Sequence, residues 1–394
     1  MNYSLEWLMK LKIDYMNSMD IVPFSPSDWN NNDNTIKFPL HVIEKAMENN
    51  KDHHKYTFMY DLISLKKSYS DFIKKHLNYD IDTKNISISQ NSTSSIYLSI
   101  QALFSKQIKR FLVVTPTYFS ILDAIKSDKT ANIYYYHLKD INDFEINLNK
   151  LKKIINEQYI ECLIITDPIF CTSKEINIKI LDQLVQICNE KNIWLVYDYT
   201  LGNIYFNKDN SLFNISKLKI VQKTKKYIFI ESISKRIFMN GIKNSIIFAS
   251  KQIIPKIESV SNYINGGFSS SQLSFFNEIY NENNIEYLDD IFIQNKKTIK
   301  DNYNIIKTLL LNTNYDIYSL ESGYYTTIYH KNYKLENLNI EDITKKILYD
   351  ANTFVIPNCR FSFYKTNHFG FRINLSKNKE YLIKSISNTI KVNI

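Results

Sequence analysis

Lys235 stands in the run Glu231-Ser232-Ile233-Ser234-Lys235-Arg236-Ile237-Phe238-Met239-Asn240-Gly241-Ile242-Lys243, between two apolar, β-favouring stretches, Tyr227 to Ile230 and Ser245 to Ala249. A lysine where a strand ends and the chain turns has a rigid base, and its amine can condense with an aldehyde to a Schiff base. Taken alone, one S-x-S-K run in a lysine-rich chain reads more readily as a surface lysine. Other reactive side chains share the placement, however. Asp198 closes the apolar run Trp194 to Tyr197, Asp167-Pro168 follows Cys162 to Ile165, Tyr118 comes after Phe111 to Val114 and Pro116, and Ser92-Thr93 follows Ile86 to Ser89. Arginine occurs four times, at Arg110, Arg236, Arg360 and Arg372, in a chain full of lysine. A planar guanidinium clamps a carboxylate through two parallel bonds, which an ammonium cannot copy, and Arg372 in Phe369-Gly370-Phe371-Arg372-Ile373-Asn374 is the best placed for that task.

The elements that must position these groups alternate. Apolar periodicity predicts helices over Phe38 to Met47, Tyr60 to Leu77, from Ser92 to near Phe104, over Ile178 to Lys191, and from about Ile285 to Leu311. Strands are expected at Ile86 to Ser89, Phe111 to Val114, Cys162 to Ile165, Trp194 to Tyr197, Tyr227 to Ile230 and Ser245 to Ala249. Two more, Tyr324 to Tyr329 and Phe371 to Leu375, fall in a C-terminal unit. Such a rhythm predicts an α/β fold. A large domain holds a mostly parallel sheet covered by helices, with ligands at the strand ends, and a smaller α+β domain follows. Soft boundaries put an N-terminal arm and part of the small domain at 1–45, the large domain at 46–280 and the small domain at 281–394. The head before Phe38, with its Asn30 to Asn34 cluster, reads as irregular.

The 394 residues, 44% hydrophobic and 23% charged, with 29 Tyr and 23 Phe, exclude a largely disordered chain. No apolar run is long enough to cross a bilayer, and Glu6, Lys10, Lys12 and Asp14 interrupt an N-terminus unlike a signal peptide, so the cytoplasm is expected. The net charge of +9 is spread along the chain without a basic block, which reads as solvated faces rather than a nucleic-acid surface, with an anionic small molecule as the secondary meaning. Cys162, Cys171, Cys188 and Cys359 lack paired spacing and read as reduced thiols. Adjacent His53 and His54 read as a surface loop, and no metal site is expected.

In chain order, Ser92-Thr93, Tyr118, Asp167-Pro168, Asp198 and Lys235 resemble the fold-type-I pyridoxal 5′-phosphate (PLP) enzymes of the class I/II aminotransferase family. The likeness is closest around the lysine, where Ser232, Ser234, Lys235, Gly241 and Lys243 keep the family's spacing. It extends to Tyr56, Leu65 and Lys66 upstream, and to Val355-Ile356-Pro357, Phe361 and Arg372 downstream. The resemblance implies a PLP-dependent transferase-like fold and an aminotransferase acting on an amino acid through a Lys235 Schiff base. Asp198 would pair with the pyridine nitrogen. Tyr118 would stack on the ring and join Lys235 and Asp198 as a catalytic residue. Ser92, Thr93, Ser232 and Lys243 would cup the phosphate, and Arg372 would fix the substrate carboxylate. Tyr56 would reach the phosphate of a neighbouring subunit, which implies a homodimer with shared active sites.

The chain departs from the pattern at Asp61 and Asn358, where glycine is usual, and at Lys243, which replaces arginine. Phe170 takes the cofactor-contacting position of an asparagine, and Leu201 that of a tyrosine, so both usual donors to the cofactor's phenolic oxygen are replaced. Those changes keep elimination, replacement, cyclisation or oxidation of an amino acid open as alternative PLP chemistry. A non-catalytic relative is a further alternative, against which Lys235 and Asp198 argue.

Overall fold

The computed structural model describes residues 5–30, 36–51, 54–139, 144–207 and 210–393; His53 and most of the Asn30 to Asn34 cluster lie outside them. Seven strands, β1 (Ile86–Ser89), β2 (Arg110–Thr115), β3 (Asn132–His137), β4 (Cys162–Thr166), β5 (Trp194–Asp198), β6 (Tyr227–Glu231) and β7 (Ser245–Ala249), form one sheet in the order β1-β7-β6-β5-β4-β2-β3. From β3 across to β6 every pairing is parallel, whereas β7 runs antiparallel to both of its neighbours. Every residue of β4 to β7 is buried, which explains why these segments read as unbroken apolar runs. Successive side chains leave opposite faces. Val113, Ile164, Val196 and Ile228 pack with Ile96, Ile100, Ile121 and Ile257, whereas Leu112, Leu163, Leu195 and Phe229 join the core containing Leu65, Leu181 and Leu218. Helices Ser92–Phe104 and Ile178–Glu190 thus lie on different faces.

A second sheet follows, β8 (Tyr315–Ile317), β9 (Tyr325–Lys334) and β10 (His368–Asn374), antiparallel in the order β10-β9-β8, with helices Ile285–Leu309, Ile340–Ala351 and Lys379–Thr389 in the same part of the chain. Asn358, at a glycine position of the family pattern, ties its loop to β10. Its side chain donates to His368 O at 2.8 Å and accepts from Gly370 N at 3.1 Å.

The expected irregular head needs correcting. Leu5–Met19 is a 15-residue helix with Leu8 and Tyr15 fully buried, and Tyr15 Oη donates to Asn352 Oδ1 at 2.9 Å. Its charged residues and the Asn-rich stretch behind it hid a seven-residue apolar spacing that is helical. The chain then crosses the second sheet, where Phe354 N donates to Phe24 O at 2.7 Å and Asn374 N to Pro26 O at 2.8 Å. The expected boundary at 45/46 falls inside the helix Leu40–Asn49. No helix among the described residues is long and apolar enough to cross a membrane.

Candidate active site

The ends of the parallel strands open on a cavity. Ser92 and Thr93 arrive from β1, Tyr118 from β2, Thr166 to Pro168 and Phe170 from β4, Asp198, Thr200 and Leu201 from β5, and Lys235 from β6. The second sheet adds Tyr325, and the head adds Trp29. An adjoining cavity shares Ser92, Thr93, Tyr118 and Lys235, and is completed by Ser232, Ser234, Asn240 and Lys243. Eight of the nine residues expected to bind a cofactor or do chemistry therefore meet at one place. Tyr56 is the exception: it is 85% exposed and lines a separate hollow with Asn265 to Ser270.

Asn91 caps the helix Ser92–Phe104 by accepting from Ser94 N at 2.9 Å, and Ser95 N bonds to Asn91 O. The Ser92 and Thr93 N–H groups remain at the positive end of the dipole, a site suited to an anion. The Ser232 hydroxyl donates to Asn244 O at 2.6 Å, so among these groups it is the one already engaged. Tyr118 Oη lies 3.3 Å from Thr93 Oγ1, and its ring packs at 5.3 Å against Phe170.

Lys235 sits in a single helical turn, Ile233–Arg236, immediately after β6. Its amine donates to Asn240 Oδ1 at 3.0 Å, an oxygen that also accepts from Tyr324 Oη at 3.3 Å. Asn240 Nδ2 donates to Trp29 O at 2.8 Å, which fixes the amide orientation, since a flipped amide would set two acceptors face to face. Burial pushes the Lys235 amine down to about 8, and the charges of Lys243 and Arg372 add to the fall. At pH 7.5 about a quarter of the amine is then neutral, roughly two hundredfold more than for an ordinary lysine.

Two aspartates at neighbouring strand ends have different fates. Asp167 is compensated: it pairs with Lys217 and accepts from Tyr197 Oη and from Ile176 N at 3.0 Å. Asp198 is buried without a basic partner among the described residues, accepting only from Thr200, whose N–H lies 3.1 Å away. Burial pushes its carboxyl up to about 6. The Thr200 bonds oppose the rise and nearby Asp167 adds to it. Such a carboxylate has room for a cation.

The arginines divide in the same way. Arg110 meets Glu161 at 4.0 Å, Arg236 meets Glu231 at 2.9 Å, and Arg360 meets Asp123 at 4.0 Å. Arg372, 0% exposed, has no acid beside it among the described residues. Its Nε and Nη2 donate to Ser27 O, with the Nε bond at 2.8 Å, and Nη1 has no hydrogen-bond partner among the described residues. Trp29 and Tyr325 flank the guanidinium at 4.5 and 4.6 Å from the ring centroids. A buried cation with one unused donor is an invitation to an anion.

Asn240 and Tyr325 were not foreseen. Tyr325 was legible only as a strand residue. Asn240 had one signal, its place within the short stretch from Lys235 to Gly241.

The sequence pattern of the family described as "Aminotransferase class I and II" matches residues 26–386. An aspartate aminotransferase of Sulfolobus acidocaldarius is 23% identical over 211 residues, 52% of this chain and 50% of that one, so the matched stretch spans about half the length of this curated relative. Among solved structures, a double mutant of Thermus thermophilus aspartate aminotransferase superposes with a TM-score of 0.83 at 12% identity, covering 100% of this chain and 97% of the other. The aromatic aminotransferase of Pyrococcus horikoshii gives 0.78 at 18% identity, covering 96% and 98%. At these identities the two structures establish the shared fold.

Proposed function

Since the chain belongs to the class I and II aminotransferases, fold-type-I enzymes that work with pyridoxal 5′-phosphate, we propose that it is an aminotransferase acting on an L-α-amino acid, with Lys235 as the covalent anchor. The observation that carries this reading is the presence, in one cavity, of a buried amine whose proton affinity is lowered and a buried carboxylate without a cation beside it among the described residues. These residues fit the cofactor. Asp198 would hold a protonated ring nitrogen, and the N–H groups of Ser92 and Thr93 with Lys243 would hold the phosphate, which Ser232 would join by turning its hydroxyl from Asn244 O to donate into the cup. Bound there, the cofactor supplies an aldehyde and an electron-withdrawing ring.

Arg372 Nη1 binds the substrate carboxylate, and Ser27 O, Trp29 and Tyr325 hold the guanidinium in place for it. Lys235 Nζ would be the base for the substrate's Cα proton, and burial, which lowers its proton affinity, keeps the amine partly neutral at neutral pH. Asn240 keeps that amine aimed into the cavity. Tyr118 and Phe170 form an apolar wall that excludes water and strengthens each charged contact.

A homodimer with shared sites belongs to the same reading. Tyr56, Tyr60, Ile63, Tyr263 and Ile264 are large apolar side chains left exposed on the two segments that Phe268 N joins by donating to Thr57 O at 2.8 Å. Subunit burial would account for these side chains. The domain division, and the cytoplasm expected from composition, stand with this proposal. The test is Lys235→Ala: it must remove both the visible band formed with PLP and keto-acid production, and retention of either defeats the assignment.

A further inference from the structure

We propose that the site selects an α-amino acid with an uncharged, apolar side chain, an inference that rests on the aminotransferase reading and adds the class of substrate. Three observations carry it. The first concerns charge: Arg110, Arg236 and Arg360 face Glu161, Glu231 and Asp123, so Arg372 is the arginine left for a ligand. Its Nε and Nη2 are held by Ser27 O, and one unused nitrogen serves one carboxylate. Among the residues lining the first cavity the basic one is Lys235, whose amine is needed for the covalent step; Arg372 is buried against the cavity's Trp29 and Tyr325, and Lys243 lines the adjoining cavity together with Ser92 at the helix N-terminus.

The second observation is the wall. Phe170 packs against Tyr118 at 5.3 Å and against Phe361 at 5.0 Å, and Phe361 lies 5.3 Å from the Arg372 guanidinium. Tyr118, Phe170 and Leu201 thus give the cavity an apolar wall, and buried Phe361 links Phe170 to the Arg372 guanidinium. The third is the face a second copy would approach. Apart from Lys55, the Tyr56 hollow is lined by small polar and aromatic residues of the 265–270 loop. A distal carboxylate entering the first cavity gives up its water, and among the described residues lining it the Lys235 amine is the sole cation, whereas an apolar side chain gains contact area.

The experiment compares single-turnover rates of the PLP-loaded protein with L-phenylalanine, L-leucine and L-methionine against L-aspartate and L-glutamate. In parallel, binding of unreactive hydrocinnamate and succinate is read from quenching of Trp29 emission, with Trp29→Phe marking the background signal. The apolar amino acids are expected to react at least about a hundredfold faster at limiting concentration, and hydrocinnamate to bind more tightly than succinate. Aspartate or glutamate turning over as fast, or succinate binding as tightly, overturns the inference and leaves the aminotransferase reading intact. Cofactor binding without conversion of any amino acid overturns both.

Discussion

Replacing Asp198 by asparagine is expected to stabilise the cofactor-free protein at neutral pH, although it removes the charge proposed to hold the cofactor ring. Burial lifts the carboxyl from 3.8 to about 6, a shift of about two units. At 1.36 kcal/mol per unit, keeping the ionised group in the folded chain costs about 3 kcal/mol. Asparagine has nearly the same volume and retains an oxygen for the Thr200 N–H and hydroxyl, so little else is lost. With an unfolding entropy of about 2.1 cal/mol/K per residue, a chain of 394 residues should gain roughly 3–4 °C in Tm. The sign follows from the direction of the shift. The folded state holds this proton more tightly than the unfolded one, so wild-type stability falls as pH rises from about 4 through 6. The advantage of Asp198→Asn is thus absent near pH 4 and complete above about pH 6.5. Scanning calorimetry of the stripped proteins at pH 4 and pH 7.5 reads it directly, and added PLP should then stabilise the wild type more than the variant. A stripped variant that melts below wild type at pH 7.5, or a difference that does not change with pH, would refute the reasoning.

Arg372→Ala should leave the visible band with PLP in place while raising KM for the amino acid about 30- to 150-fold, the loss of roughly 2–3 kcal/mol of charge-assisted bonding; steady-state kinetics with unchanged KM contradicts the carboxylate clamp. Asn240→Ala should move the pH midpoint for condensation of Lys235 with PLP away from about 8, and Asn240→Asp should raise it by placing an anion beside the amine. Stopped-flow rates across pH 6–10 that are identical in both variants would mean that the Lys235–Asn240 bond does not govern the amine. With Phe170 and Leu201 in the positions of the two phenolic-oxygen donors, the visible band should stay in its protonated form at neutral pH. A titration with its midpoint well below pH 7 would show that another donor takes their place.

The large sheet was legible because strands buried on both faces must be short, unbroken apolar runs, and β4 to β7 are such runs. Their reactive ends could be named for the same reason. Edge strand β3, Asn-Ile-Tyr-Tyr-Tyr-His, escaped notice because it is half-exposed and mixes polar with aromatic residues. What lay beyond reach was partnership across sequence distance. Asn240 meets Trp29 from 211 residues away, and Arg372 meets Ser27 from 345 away, so no local spacing announces either contact. Arginine scarcity singled out Arg372, but only the structure separates it from the three arginines that face acids. The contrast between Asp167 and Asp198 was equally hidden, because it depends on where Lys217 falls.

The most direct measurement is the absorbance spectrum of the purified protein with PLP, before and after an L-amino acid is added without a keto-acid acceptor. A visible band that forms with PLP, is absent in Lys235→Ala and bleaches to the aminated cofactor with one equivalent of keto acid is the predicted result. Release of ammonia with the band restored, or no band at all, would contradict the assignment.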